Sequence, residues 1–430
     1  MTGHNPQPTT RNPPPLMTGE PGSFARATIV ERKPEIIRRV IADNAYPPEI
    51  VAALEAFRDE IAHHPITPLT EDAPDTAFWN AHQAQYAGKT WLEVSWYFAE
   101  TYFYRRLLEA TRYFQPDPWQ GHDPFAKQKR AQEAAAIAQL ATVWAQIEAL
   151  PPGERSVLLL HSALWGNRAD LSNFTIRESA HRGLDAHTER DNLLIDDTEE
   201  VLAFFSQRTH TCWGRSPTVP PNAMRMPARS ESGQSEKQID TIAFINDNVG
   251  ADSLFDLALA DFLLTHGWTR NVVFYLKNQP FFVSDAMPED IRLVIQQLES
   301  AKEPIVAKLG KRLHNHRITH HLSLSTDPFW TSCLSFWELP PALRDDLARA
   351  DLIILKGDVN YRRLLDDRHW PHTTPIAHAD AGFPRPYLLL RTLKGEIMVG
   401  LQPGQAETLA AIELDWLING KRGVVQFVKD

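Results

Sequence analysis

The stretch that decides the fold is Thr241-Ile242-Ala243-Phe244-Ile245-Asn246-Asp247-Asn248-Val249-Gly250-Ala251-Asp252. Its first five residues are almost wholly apolar and rich in β-branched and aromatic types, which reads as a buried strand. The strand ends in Asp-Asn, a glycine follows, and residues 253–264 then carry the pattern of a helix. In open α/β sheets ligands bind beyond the carboxyl ends of the strands. Asp247 and Asn248 therefore stand where a ligand is expected, and their carboxylate and amide oxygens suit a hard cation such as Mg²⁺ or Mn²⁺. The competing reading is that Asn248 or Asp252 merely caps the helix.

Similar apolar runs flank this stretch: 156–160 before it, then 271–276, 352–355, 387–390 and 424–428 after it. Helical patterns fall between several of them, at 289–300, 342–350 and 407–414. Strands this apolar are covered on both faces. The fold class expected for residues 151–430 is α/β, a three-layer α/β/α core with a mainly parallel sheet. The polar, proline-containing segment 208–238 reads as a long loop or insertion.

Residues 23–150 have a different texture and read as a helical N-terminal subdomain. Ile50, Leu54, Phe57 and Ile61 recur on one helix face after Pro47-Pro48. Trp91 to Phe114 is aromatic-rich, and Gln128 to Leu150 is alanine-rich until Pro151-Pro152-Gly153 stops it. Residues 1–22 hold Pro6, Pro8, Pro13, Pro14, Pro15 and Pro21, so they are expected to be a disordered tail.

Composition narrows the function. The chain of 430 residues carries a formal net charge of -10, which weighs against nucleic acid as the main partner. Cys212 and Cys333 are its only cysteines, too few for a disulfide framework. No apolar run is long enough to span a membrane, and no secretory pattern opens the chain. A cytoplasmic protein with no membrane partner is expected; the oligomeric state stays open.

Three more strand ends carry chemistry. Phe281-Phe282-Val283-Ser284-Asp285 reads as a strand-like run delivering Asp285 beside Asp247 and Asn248, where all three could share a cation. Asp285 could equally be a cap before Pro288. Ile353-Ile354-Leu355-Lys356-Gly357-Asp358-Val359-Asn360-Tyr361-Arg362 runs from strand through glycine into a helix. A helix N-terminus with Arg362 suits a phosphate, although a capped turn with solvated arginines is the plainer alternative. Leu389-Leu390-Arg391-Thr392-Leu393-Lys394 brings a hydroxyl and the Lys394 charge to the same sheet edge.

Other features carry little. Gly88-Lys89-Thr90 resembles the end of a P-loop, but Gln83 stands where that motif needs glycine, and the context is helical. A Gly-x-Gly-x-x-Gly fingerprint is absent. His314, His316, His320 and His321 crowd together without an acid or cysteine at ligand spacing, and the aromatics at 96–104 read as helix packing.

Taken with the helical part, these motifs resemble the carbohydrate-phosphate branch of the damage-control phosphatases, also called the acidic-residue methyltransferase family. Trp91-Leu92-Glu93-Val94-Ser95-Trp96-Tyr97-Phe98-Ala99-Glu100, Tyr102-Phe103-Tyr104-Arg105-Arg106-Leu107, Asp123-Pro124-Phe125 and Leu164-Trp165-Gly166-Asn167-Arg168 look like its signatures. The Asp-Asn-x-Gly, Gly-Asp-x-Asn-Tyr-Arg and Arg-Thr-x-Lys motifs follow in the family's order. The resemblance implies a divalent metal (Mn²⁺, Co²⁺ or Ni²⁺, with Mg²⁺ possible) at Asp247, Asn248 and Asp285, the catalytic set. It implies substrate contacts from Asp247, Asn248, Asp358, Val359, Asn360, Tyr361, Arg362 and Lys394. It implies hydrolysis of sugar phosphates such as fructose 1-phosphate. Asp252 departs from the family, which often has Glu there, near the proposed S-adenosylmethionine pocket.

The expected function is thus a metal-dependent sugar-phosphate phosphatase. The alternatives are an S-adenosylmethionine-dependent protein carboxyl methyltransferase and a non-catalytic sugar-phosphate binder. Whether Asp247 acts as base, nucleophile or metal ligand alone is open at this stage.

Overall fold

The computed structural model describes residues 12–166, 191–208 and 239–429. The expected loop at 208–238, apart from its first residue, lies outside the described residues, as does the part of the Leu-Trp-Gly-Asn stretch from Asn167 onward.

The N-terminal half is helical: α1 (Phe24–Ala27), a π-helical turn (Thr28–Arg32), α2 (Lys33–Asp43), α3 (Pro48–His63), α4 (Thr76–Gln83), α5 (Trp96–Ala110), α6 (Ala126–Ala149) and α7 (Pro152–Trp165). Prolines open several of these helices, where the missing N–H costs nothing. Helix α5 is buried on nearly every side, because α2, α3 and the sheet domain surround it.

Seven strands follow: β1 (Leu193–Asp196), β2 (Thr241–Ile245), β3 (Asn271–Leu276), β4 (Leu322–Thr326), β5 (Leu352–Lys356), β6 (Tyr387–Thr392) and β7 (Gly423–Val428). They form one sheet in the order β1-β7-β6-β5-β2-β3-β4. Every pairing is parallel except β6 with β7. Between the strands lie α8 (Thr198–Arg208), α9 (Ala251–Thr265), α10 (Pro288–Glu299), α11 (Pro304–Ile318), α12 (Pro341–Leu347), α13 (Gly357–Leu364) and α14 (Gln405–Ile412).

Alternation along the strands divides the core in two. Ile242, Phe244, Val272, Phe274 and Ile354 pack under α6, α7, α9, α10 and α11. Ala243, Ile245, Ile353, Leu355 and Leu389 face the other way, against Trp96, Leu343 and Tyr361. The sheet is therefore sandwiched between helical layers, the α/β/α arrangement expected from its all-apolar strands. The chain winds outward from β2 through β3 to β4 and then returns to β5 on the other flank of β2. The switch point lies between β2 and β5, and a crevice opens there at the strands' carboxyl ends.

Four expectations need correction. The run 156–160 is helix α7, not a strand. A short apolar run fits either element when both are buried, and Pro152 starts this helix as well as ending the previous one. The run 281–285 is a turn, not a strand. Helix α6 does not stay within an N-terminal unit, since Ala136, Leu140, Trp144 and Ile147 join the cluster beneath the sheet. Finally, residues 12–22 are not a loose tail. The Leu16 N–H donates to the Asp367 carbonyl (2.8 Å), its carbonyl accepts from Trp96 N (2.8 Å), and Thr18 N–H donates to Val94 O (3.1 Å). Leu16 and Thr18 are buried, so this segment straps the helical layer to the sheet domain.

Candidate active site

Asp247 and Asn248 follow β2 directly, and the loop after β3 is zipped onto them. Ala286 N–H donates to the Asp247 carbonyl (2.8 Å), and Val249 N–H donates to the Ser284 carbonyl (2.7 Å). An isolated antiparallel bridge joins Asn248 to Asp285. Phe282 and Val283 reverse the chain with φ of 43° and 58°. A β-branched residue is costly in that region, and such strain gathers at functional sites. By this route Asp285 arrives beside Asp247 without a strand to carry it.

Both carboxylates are buried, Asp247 at 3% exposure and Asp285 at 0%. Asn248 Nδ2 donates to Asp247 Oδ2 (2.7 Å), and Ser284 Oγ donates to Asn248 Oδ1 (2.6 Å). Asp247 Oδ1 and both oxygens of Asp285 lack a hydrogen-bond partner. Lys277, the residue after β3, stands 3.2 Å from Asp285 Oδ2 as its ion-pair partner. Burial, then the charges of Asp285 and Asp252, push the Asp247 carboxyl well above the usual carboxylate range. Burial raises Asp285 too, against the pull of Lys277. Asp247 Oδ1 and Asp285 Oδ1, buried with neither a hydrogen bond nor an ion pair, are what an added cation would relieve. Two acids and an amide oxygen form a hard donor set that fits a divalent ion. No group of three or more His, Cys, Asp or Glu side chains poised for a metal occurs among the described residues, so an amide ligand is needed to complete the set. His314 and His316 instead sit beside Glu299 and Asp261 on α11.

Beneath Asn248 runs a buried charge network. Lys356 Nζ lies 2.8 Å from both Asp252 and Asp256 and also donates to the Ala163 carbonyl. Asp252 Oδ2 in turn accepts from Asn248 Nδ2 at 3.4 Å. Burial raises the Asp256 carboxyl to about 7, with Lys356 opposing. Asp252 is thus half of an ion pair that props the Asn248 amide.

The segment from Gly357 divides its side chains between cavity and scaffold. Asp358 and Val359 line the cavity. Asp358 Oδ1 lies 2.7 Å from Arg391 Nη2 and accepts the Lys394 N–H (3.2 Å). Asn360 turns inward, where its amide donates to the carbonyls of Ile245, Asn246 and Lys356. Tyr361 is fully buried, and its hydroxyl accepts from Val399 N (3.0 Å). Arg362 reaches the cavity wall, but Asp367 holds its guanidinium at two points (2.8 Å each) and Glu100 at a third (2.5 Å). Of Arg-Thr-x-Lys, Lys394 alone lines the cavity. Arg391 braces Asp358 and the Gly395 and Ile397 carbonyls, and Thr392 donates to the Leu164 carbonyl. Burial lowers the Lys394 ammonium, with Asp252, Asp247 and Asp358 opposing.

Together these residues enclose a cavity of about 840 Å³. Trp96, Glu100, Tyr104, Arg32 and Asn419 also line it, none of which strand-end reasoning singled out. Trp96, Glu100 and Tyr104 fall within the signatures of the family resemblance, Arg32 had only the basic Arg32-Lys33 pair before Pro34, and Asn419 had no signal.

A doubly wound sheet whose switch-point crevice holds two buried acids, with Lys394 on the same cavity, is an α/β fold built to take a small-molecule ligand at its strand ends. The chain belongs to the family of the damage-control phosphatase ARMT1-like domain, whose model matches residues 28–409. Relatives described as damage-control phosphatase ARMT1 include the zebrafish (Danio rerio) protein, 31% identical across 94% of this chain and 95% of that one. The human (Homo sapiens) protein is 31% identical across 96% and 98%, and the mouse (Mus musculus) protein 29% across 96% and 98%. Among solved structures, a DUF89 family protein from Pyrococcus horikoshii matches 94% of this chain and 98% of its own, with 15% identity and a TM-score of 0.46. The family makes the chain a metabolite-repair phosphatase in class. No described helix is long and apolar enough to cross a membrane.

Proposed function

We propose that this protein hydrolyses the phosphomonoesters of small sugar phosphates, with fructose 1-phosphate as the type substrate, and that it needs a divalent cation to do so. The observation that supports this reading best is the pair of buried carboxylate oxygens with neither a hydrogen-bond nor an ion-pair partner, Asp247 Oδ1 and Asp285 Oδ1, on the wall of the cavity that Lys394 also lines. Asp247, Asn248 and Asp285 would hold the ion. Mn²⁺, Co²⁺ and Ni²⁺ are the metals the family resemblance favours, and the oxygen donors also admit Mg²⁺. When bound, the ion supplies Lewis-acid polarisation of the phosphoryl group and orients the attacking water.

The protein's own groups do the rest. Lys394 donates to phosphoryl oxygens and offsets charge that develops on them. Asp358, on the cavity wall, accepts the Lys394 N–H and so fixes the backbone that carries the lysine. The Trp96, Tyr104 and Phe282 rings form an apolar wall for the carbon face of a sugar. Asn248, held by Ser284 and propped by Asp252, keeps its amide oriented. A screen for phosphate release from sugar phosphates, each with Mn²⁺, Co²⁺, Ni²⁺ or Mg²⁺, tests the reading. Turnover of sugar phosphates that vanishes with chelator supports it. Equal turnover with and without metal, or none with any sugar phosphate, refutes it.

A further inference from the structure

Two of the arginines on the cavity wall are already committed to carboxylates. Arg362, the arginine the strand-end motifs offer, is held by Asp367 and Glu100 and lies 3.5 Å above the Trp96 ring, so its donors are already used. Arg38 pairs with Glu35 at 2.5 Å. Asp358 is matched by Arg391, and Asp285 by Lys277.

Arg32 is placed differently. It lines the same cavity from the helical layer, and no carboxylate among the described residues forms an ion pair with it. Its guanidinium is 5.2 Å from the Phe24 ring centroid, which leaves its planar edge of N–H donors available. The backbone places it there by an unusual device. Residues Thr28–Arg32 form a π-helical turn, closed by the Lys33 N–H donating to the Thr28 carbonyl, immediately before Pro34. Single π turns inside helices recur at functional sites. Neighbours on a helix point about 100° apart. Lys33 goes inward to Glu100 (3.0 Å), while Arg32 stays exposed at the cavity. The two cavity cations also feel each other, since the Arg32 charge is among those that lower the Lys394 ammonium.

We propose that Arg32 is a substrate-binding residue, gripping two phosphoryl oxygens with its guanidinium from the helical side of the cavity while Lys394 holds the phosphate from the sheet side. The inference rests on the phosphomonoesterase reading above and deepens it. It makes the bound phosphate the bridge between the helical layer and the sheet.

The test compares wild type with Arg32→Met, Arg32→Lys and Arg38→Met. Calorimetry measures the affinity for inorganic phosphate, and phosphate release from fructose 1-phosphate with Mn²⁺ measures kcat and KM. Arg32→Met should weaken phosphate binding and raise KM by roughly 10- to 100-fold, the span of one or two charge-assisted hydrogen bonds. Arg32→Lys should recover only part of this, because an ammonium cannot make the two-point contact. Arg38→Met should stay within about twofold of wild type, since only long-range, salt-screened charge is removed. The melting temperature should hold throughout, because both arginines are exposed. An active wild type whose phosphate affinity and KM are unmoved by Arg32→Met overturns the inference and leaves the phosphatase reading standing. An equal loss in Arg38→Met also overturns it, as a general field would then suffice. A wild type that neither binds phosphate nor hydrolyses the ester fails the reading itself.

Discussion

Gly357 and Asp247 touch so closely that a side chain on one would displace the other. A Cβ on Gly357 would lie 1.8 Å from Asp247 Oδ2, and the glycine adopts φ of +81°. The first turn of α13 is therefore packed directly against the carboxylate. Gly357→Ala should push Asp247 aside and strain the turn. Phosphate release should drop by roughly 100-fold, the scale of a misplacement of about 1 Å, and the melting temperature should fall as well. A variant with wild-type turnover would show that the Asp247 position is not critical.

Arg362 and Lys394 should respond differently to removal. Arg362→Met leaves Asp367 buried without its cation and takes from Glu100 one of its two, Lys33 remaining, an imbalance of about 3–5 kcal/mol, so the variant should lose fold stability along with activity. Lys394→Ala should melt near wild type yet raise KM or lower kcat at least ~10-fold. Denaturant titration paired with kinetics separates the two. A well-folded Arg362→Met with only a raised KM would return Arg362 to the phosphate site.

Leu16 anchors the strap between Asp367 and Trp96. It is 2% exposed, and Leu16→Ala should cost about 2–5 kcal/mol. Deleting residues 1–22 should lower the melting temperature by several degrees. No change on deletion would mean that the strap contributes no stability.

Glu100 makes folding sensitive to acid. Burial alone would raise its carboxyl, but Lys33 and Arg362 hold it down to about 2, against 4.5 when free. A folded value below the unfolded one gives stability that is complete above pH 4.5 and lost as pH falls toward 2. The shift corresponds to roughly 3 kcal/mol. Wild type should lose stability across that window, and Glu100→Gln should be less stable at neutral pH but flatter below 4.5. Identical pH profiles would exclude Glu100 as the source.

How far sequence carried depended on whether a pattern fixed a partner as well as a type. β2, β3, β5, β6 and β7 were readable because burial on both faces made them largely apolar. β4 escaped notice because its Ser323, Ser325 and Thr326 belong to an edge strand that is half exposed. Helix α7 looked like a strand because Leu158, Leu159 and Leu160 are consecutive, and consecutive apolar residues carry no period. In the site, the motif positions of Asp247, Asn248, Asp358 and Lys394 led to one cavity, since strand ends converge at the switch point. The role of Arg362 could not be read the same way. Its partner Glu100 lies 262 residues away, and nothing local announces that contact. Arg32 lies in the helical layer, at a π turn and not at a strand end, so the strand-end pattern does not reach it.

The most direct measurement is phosphate release from fructose 1-phosphate by metal-stripped protein as Mn²⁺ is titrated back, for wild type and Asp285→Asn. Asn is nearly isosteric with Asp and removes one anionic ligand, so metal affinity and Lewis-acid effect should both fall. Stripped wild type should be inactive and recover fully with Mn²⁺. Asp285→Asn should fold normally, need far more Mn²⁺ and recover only in part. Full activity of Asp285→Asn in metal-free buffer would contradict the metal-dependent phosphatase outright.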